Sequence, residues 1–282
     1  MNSASRIYKN SVVGWFLRKC LRLVPSNIVI PISNGRLKGK KWIKGSGVNA
    51  YWLGIYEIDK QKLFEQIVKP GDVVFDIGAH VGFYTLLASE LVGITGKVFA
   101  FEPLPRNINF LKKHLKLNRL GNVKIFEFAV SDKEENVFFG ELSNSFSGRI
   151  IEQEKGIRVK SVILDNLIKS KKLLPPNVLK IDVEGNELAV LKGAEYTIEQ
   201  YRPAIFLATH TEKIHNECIN FLKKFKYNIQ PIVGENINKT GEILAYVPDR
   251  QSRTNRGSVR KLNRNGRKAR SLTKKVNRKK RN

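Results

Sequence analysis

From Gly71 to Val247, short apolar runs alternate with stretches whose apolar residues recur at helical spacing. VVFDI (73–77) is a β-branched run that reads as a strand, and GAHVG leads from it into an apolar helix ending near Leu91. KVFAFE (97–102) is a second strand, followed by a helix from Pro105 to Leu117. NVKIFEFAV (122–130) supplies a third, and 136–160 reads as hairpin or loop with VFF and IRVKSV as short strands. NVLKID (177–182) and PAIFLATH (203–210) are the fourth and fifth strands, followed by helices over ELAVLKGA and EKIHNECINFLKKF (212–225). YNIQPIV and EILAYV close the series as strands. This alternation predicts an α/β protein: a mostly parallel sheet with helices on both faces, binding ligands beyond the carboxyl ends of its strands.

The flanks differ. Residues 1–30 predict an amphipathic helix ending at Pro25, which either packs on the body or lies on an anionic membrane surface. GRLKGKKWIKGSG (35–47) reads as a Gly-rich basic loop. Residues 250–282 hold 15 Lys/Arg, no Asp/Glu and no aromatic residue, and predict a disordered polybasic tail. The division expected is an extension over 1–50, a domain over 51–249 and the tail.

Of the formal net charge of +26, the body (1–249) carries +11, with 36 basic against 25 acidic residues. Such a tail suits non-specific contact with nucleic acid or an anionic membrane. The two cysteines, Cys20 and Cys218, stand in no metal or disulfide pattern, which points to free thiols in a reducing, cytoplasmic compartment. No apolar run is long enough to cross a membrane, and no small-residue cleavage site follows the first apolar segment. The protein is expected in the cytoplasm, with peripheral membrane contact open to its basic ends.

The first strand ends in DIGAHVG. A dinucleotide site would need G-x-G-x-x-G, but the glycines here are Gly78 and Gly82, and Asp76 would repel a phosphate. A carboxylate in this loop favours a cationic or hydroxyl-rich ligand, and S-adenosylmethionine carries an ammonium and a sulfonium but no phosphate. The two glycines would let the backbone approach that ligand. One strand–helix–strand repeat later Glu102 stands at a strand tip, where a carboxylate can accept both ribose hydroxyls.

GDVVFDIGAHVGFYTLLAS, KVFAFEPLPRNINFLKKHLKLN and LKIDVEGNELAVLKGA together resemble the successive motifs of the FkbM family of S-adenosylmethionine-dependent methyltransferases. YWLGIYE (51–57) resembles that family's lead-in segment, and the likeness covers roughly 50–210. It implies a Rossmann-like class I sheet of seven strands, the last antiparallel, and O-methylation of a hydroxyl on a sugar, glycan or small natural product. It places Asp76, Gly78 and Gly82 around the methionine moiety, Glu102 on the ribose and Ala129 near the adenine, with Ala79 and Pro103 also among the cofactor-binding residues. Glu57 is a further carry-over, and His80 stands where the family often has Asn.

Methyl transfer needs an aligned acceptor oxygen and a group to take its proton. Asp182 and His210 occupy the ends of the fourth and fifth strands and are the catalytic candidates, with Glu184 behind them. Asp182 and Glu184, two apart on a strand end, would face one way. Gly185 would turn the chain, Asn186 would cap the next helix, and Glu187 would be structural in its first turn. The family's fifth strand commonly carries an acid two positions before the His, where this chain has Ala208. Asp182 and Glu184 offer oxygen ligands for magnesium or calcium, but two acids do not make a metal site and none is assigned. Two alternatives stay open: an RNA ribose 2′-hydroxyl methyltransferase anchored by the tail, and a non-catalytic protein bound to anionic membrane or ribonucleoprotein.

Overall fold

The structure, a computed structural model, describes residues 25–141, 148–151 and 156–248. The expected N-terminal helix and the polybasic tail lie outside these residues. The elements in chain order are β1 (Val29–Pro31), β2 (Lys41–Ile43), α1 (Asn49–Leu53), α2 (Ile58–Ile67), β3 (Val73–Ile77), α3 (Phe83–Val92), β4 (Lys97–Phe101), α4 (Pro105–Leu117), β5 (Val123–Phe126) and β6 (Ala129–Val130). They continue with β7 (Asn136–Glu141), β8 (Gly148–Ile151), β9 (Ile157–Val162), α5 (Leu164–Lys169), β10 (Val178–Ile181), α6 (Glu187–Gly193) and α7 (Glu195–Tyr201). The last are β11 (Ala204–Ala208), α8 (Glu212–Lys224), β12 (Asn228–Pro231) and β13 (Glu242–Tyr246).

Seven strands form one sheet in the order β12-β13-β11-β10-β3-β4-β5. Neighbours from β11 to β5 are parallel, and β13 runs antiparallel between β12 and β11. This is the expected Rossmann-like sheet with its last strand reversed. Its central strands are buried along their length because helices cover both faces, which explains continuous apolar runs such as VLKI and AIFLA. One apolar cluster lies on each face, one around Phe75, Leu179 and Leu207, the other around Phe64, Leu87 and Phe206.

The helices follow their sequence signals. Pro105 opens α4, which buries Asn107, Ile108, Leu111, His114 and Leu115 along one stripe. In α8 the Thr211 side chain accepts the Ile214 N–H, Glu212 lies in the first turn and Lys223 and Lys224 in the last. That helix buries Cys218, whose thiol is pushed up to about 12 by burial and is therefore unreactive.

Three expectations change. NVKIFEFAV is not one strand: it leaves the main sheet after Phe126, and Ala129–Val130 pair with β9 in a second sheet ordered β6-β9-β7-β8. GRLKGKKWIKGSG is not only loop, because β2 pairs with β1. Nor does packing break at residue 50. Ile32, Leu37 and Trp42 are buried in the core, and Trp42 stacks on His114 at 3.8 Å. On its other edge β2 is held by α4 side chains, with His114 Nε2 accepting the Ile43 N–H and Asn118 bonding both backbone groups of Lys41. Among the described residues no helix is long and apolar enough to cross a membrane.

Candidate active site

Register sets the site. Ile77, Phe101, Ile181 and Leu207 lie level across β3, β4, β10 and β11, so the residues that follow them emerge at one edge. There they border a cleft of about 920 Å³, open mouth included. Gly78, Ala79, Glu102, Pro103, Ala129, Asp182 and Glu184 all line it. Asp76, Gly82, Glu57 and His210 do not.

Asp76 is turned inward. It is 1% exposed, accepts the Thr85 hydroxyl at 2.6 Å and lies 3.2 Å from Lys180 Nζ. Asp76 and Lys180 are register partners on adjacent strands, so their side chains leave the sheet on the same face. The carboxylate thus serves a buried lysine, where the sequence suggested a cationic ligand. Lys180 also donates to the Gly78 carbonyl at 2.8 Å, stands 3.9 Å from Asp182 and borders the cleft. Burial works against its charge, but Asp76 and then Asp182 overcome this and hold the ammonium above the usual lysine value. Sequence reasoning passed over Lys180, although a lysine inside a buried apolar strand needs a partner.

The glycines also differ from expectation. A Cβ on Gly78 would sit 1.8 Å from the Asp182 carbonyl oxygen, and one on Gly82 would sit 2.4 Å from Leu111 Cδ1. Both are demanded by the protein's own packing, at φ of 77° and 95°. His80, between them, has φ 52°, a conformation in which Asn and His are among the better tolerated residues.

Glu102 is 4% exposed on the cleft border. It accepts the N–H of His80 at 2.8 Å and of Leu104 at 3.0 Å, and the Asn107 amide at 3.2 Å. A carboxylate has about four lone-pair sites, so about one remains for a ligand hydroxyl. Burial raises its pKa, with these three bonds opposing the shift. Glu57 lies behind the cleft, bonded to the Tyr84 hydroxyl at 3.0 Å and to Lys60 Nζ at 2.8 Å. Lys60 also pairs with Glu242, whose carboxyl is pushed up to about 7 by burial.

At the other end of the cleft, Asp182 and Glu184 converge through a turn rather than along a strand, since β10 ends at Ile181 and Glu184 and Gly185 take φ of 53° and 111°. Burial would raise the Asp182 pKa, but Lys180 above all holds it below the ordinary value. His210 Nε2 lies 3.6 Å from Asp182 and 3.2 Å from Glu184, and its Nδ1 lies 2.7 Å from Glu187 Oε1. The bond to Glu187 outweighs burial and, with the other two carboxylates, raises the imidazole to about 9. Asn186 makes no side-chain cap, and Glu187, 0% exposed, instead accepts the Gly185 N–H at 2.8 Å. Glu187 supports the helix start and orients His210 as well.

The cleft's chemistry fits S-adenosylmethionine. Three carboxylates face one lysine, which suits an ammonium and a sulfonium, while Leu104, Phe128, Val130 and Phe139 offer an apolar surface for a base. Gly78, Ala79 and Glu102 are the residues that would hold it.

Comparison with known proteins agrees with this reading. The chain is 30% identical over 138 residues to the hexuronic acid methyltransferase AglP of Haloferax volcanii, covering 49% of this chain and 56% of that protein. It is 26% identical over 184 residues to a ribosomal RNA large subunit methyltransferase E of Wigglesworthia glossinidia brevipalpis, covering 60% and 84%. With the 31-O-demethyl-FK506 methyltransferase FkbM of Streptomyces tacrolimicus it shares 27% identity over 162 residues, 45% of this chain and 61% of that one. The chain therefore spans little more than half of two of these three relatives. Residues 76–265, well over half of the chain, match the methyltransferase FkbM domain, and the protein belongs to that S-adenosylmethionine-dependent methyltransferase family.

Proposed function

We propose that the protein is an O-methyltransferase acting on a hydroxyl of a sugar, glycan or small natural product. The observation that carries this is a cleft with buried Glu102 at one end and Asp182 at the other, each just beyond a strand of the central sheet. Likeness to a hexuronic acid methyltransferase supports a sugar acceptor.

S-adenosylmethionine supplies an electrophilic methyl carbon on a positively charged sulfur. Glu102 holds the donor's ribose through its remaining acceptor site, and the Leu104, Phe128 and Ala129 side takes the base. Asp182 receives the acceptor hydroxyl. Bound in the cleft, S-adenosylmethionine would supply the methyl group for the acceptor oxygen, and the Asp182 carboxylate would take the acceptor's proton. The oxygen becomes strongly acidic during transfer, so a weak base held in line suffices. Lys180 fixes Asp182 in its ionised form. His210, oriented by Glu187, stands with Glu184 beside Asp182 and borders the acceptor's position. The basic tail contacts nucleic acid or an anionic membrane without taking part in transfer.

Radiolabelled methyl donor, offered with uronic-acid glycans, simple sugars and RNA, tests this. Label on a sugar hydroxyl, reduced at least about a hundredfold by Asp182→Asn, is the expected result. Label on RNA alone would establish the RNA reading, which the likeness to a ribosomal RNA methyltransferase supports. Absence of both label and donor binding would overturn the assignment.

A further inference from the structure

Asp182, Glu184 and His210 each present one donor atom, and these atoms all lie within 4.8 Å of one another. They come from two adjacent strand ends, 28 residues apart at the extremes, and meet only because β10 and β11 pair in parallel. Two carboxylates converging on one imidazole nitrogen need a positive charge between them, and either a proton on Nε2 or a metal ion supplies it. The protein has built the surroundings of a ligand imidazole. Glu187, fully buried, bonds Nδ1 at 2.7 Å, which fixes the ring's orientation and leaves Nε2 for the two carboxylates. Carboxylate–histidine–metal relays use this arrangement to raise the basicity of a ligand histidine. The other Glu187 oxygen, Oε2, is buried with no hydrogen-bond partner among the described residues.

The geometry points to a divalent-cation site formed by Asp182, Glu184 and His210, with Glu187 as the residue that positions His210. Octahedral ligands about 2.1 Å from an ion are about 3 Å apart. The His210–Glu184 and His210–Asp182 separations of 3.2 and 3.6 Å are already near that value. Two oxygens and one nitrogen suit manganese or magnesium rather than zinc, whose sites are rich in His and Cys. Three protein ligands leave coordination positions open, and Asp182 and Glu184 border the cleft. Resting on the proposed transfer to a hydroxyl, this gives the acceptor class: a molecule with two adjacent oxygens, a diol or hydroxy acid, able to chelate the ion.

Manganese binding to the chelator-stripped full chain, followed by electron paramagnetic resonance without donor or acceptor, is the test. One Mn²⁺ per chain is expected with a Kd below about 100 µM. Glu184→Gln, a change at a partly exposed position, and His210→Ala should each weaken it at least about tenfold, and Glu187→Gln by about tenfold to a hundredfold. Circular dichroism and donor binding check that the variants fold. No binding up to about 1 mM, or binding unchanged by Glu184→Gln and His210→Ala, would overturn the site and leave a protonated imidazole there. Because no acceptor is present, the result stands apart from whether methyl transfer to a sugar is found.

Discussion

Replacing Asp76 by alanine asks whether that carboxylate serves the methyl donor or Lys180. Asp76 and Lys180 are 1% and 4% exposed and 3.2 Å apart, so the substitution strands a buried ammonium. Breaking a buried pair from one side costs about 3–5 kcal/mol. Lys180 keeps the Gly78 carbonyl at 2.8 Å and Asp182 at 3.9 Å, which places the cost near the lower limit, at about 3 kcal/mol. For a chain of this size each kcal/mol lowers Tm by about 2–4 °C, so a fall of about 6–12 °C is expected. Thermal and urea denaturation of the ligand-free protein measure it. The double variant Asp76→Leu/Lys180→Met removes both charges and should recover most of the loss, with a coupling of at least about 2 kcal/mol in the cycle. A single variant that melts within about 2 °C of the parent yet no longer binds donor would place Asp76 on the ligand and refute the pairing argument. Additive effects in the double variant would refute it equally.

His114 gives a pH signature. It is fully buried, accepts the Ile43 N–H, bonds the Val81 carbonyl at 2.8 Å, and burial lowers its pKa from 6.5 to about 4. A depressed folded value means that stability is full above pH 6.5 and is lost as pH falls towards 4, by about 2 kcal/mol between pH 7.5 and 5. Urea denaturation at those two pH values should show that loss in the parent and not in His114→Phe, and equal losses would contradict it. Glu102→Gln should weaken S-adenosylhomocysteine binding by about tenfold to a hundredfold in calorimetry, and unchanged affinity would remove Glu102 from the ribose site. Gly78→Ala, with its clash against the Asp182 carbonyl, should cost at least about 3 kcal/mol or prevent folding. Gly185→Ala, at φ 111° but in open space, should cost only about 1 kcal/mol, as Tm measurements on both variants would show.

The strands and most helix limits were legible because the sheet's central strands are buried on both faces and each becomes an apolar run bounded by glycine or a charge. VVFDI, KVFAF and VLKI show this directly. Glu102 and Asp182 were legible for the same reason, as charges that end such runs. The single strand read through NVKIFEFAV was not, because no local signal says that the chain changes sheet after Phe126. The basic segment 35–47 hid a buried tryptophan, since its lysines flank Trp42 and the α4 side chains that hold β2 lie about 70 residues further on.

By itself, then, the sequence determined the class of fold, the edge of the sheet where the cleft lies and the family. Those properties rest on period, composition and motif, which are local. Tertiary structure decided what each charge does. Register pairs Asp76 with Lys180 across 104 residues, brings His210 to Asp182 and Glu184, and sets Glu187 behind it. It also decided that Gly78 is needed because a neighbouring carbonyl lies against it. The physical reason is that a buried charge or a missing side chain is explained by its neighbours in space. Parallel strand pairing brings those neighbours from distant parts of the chain, where no local pattern records them.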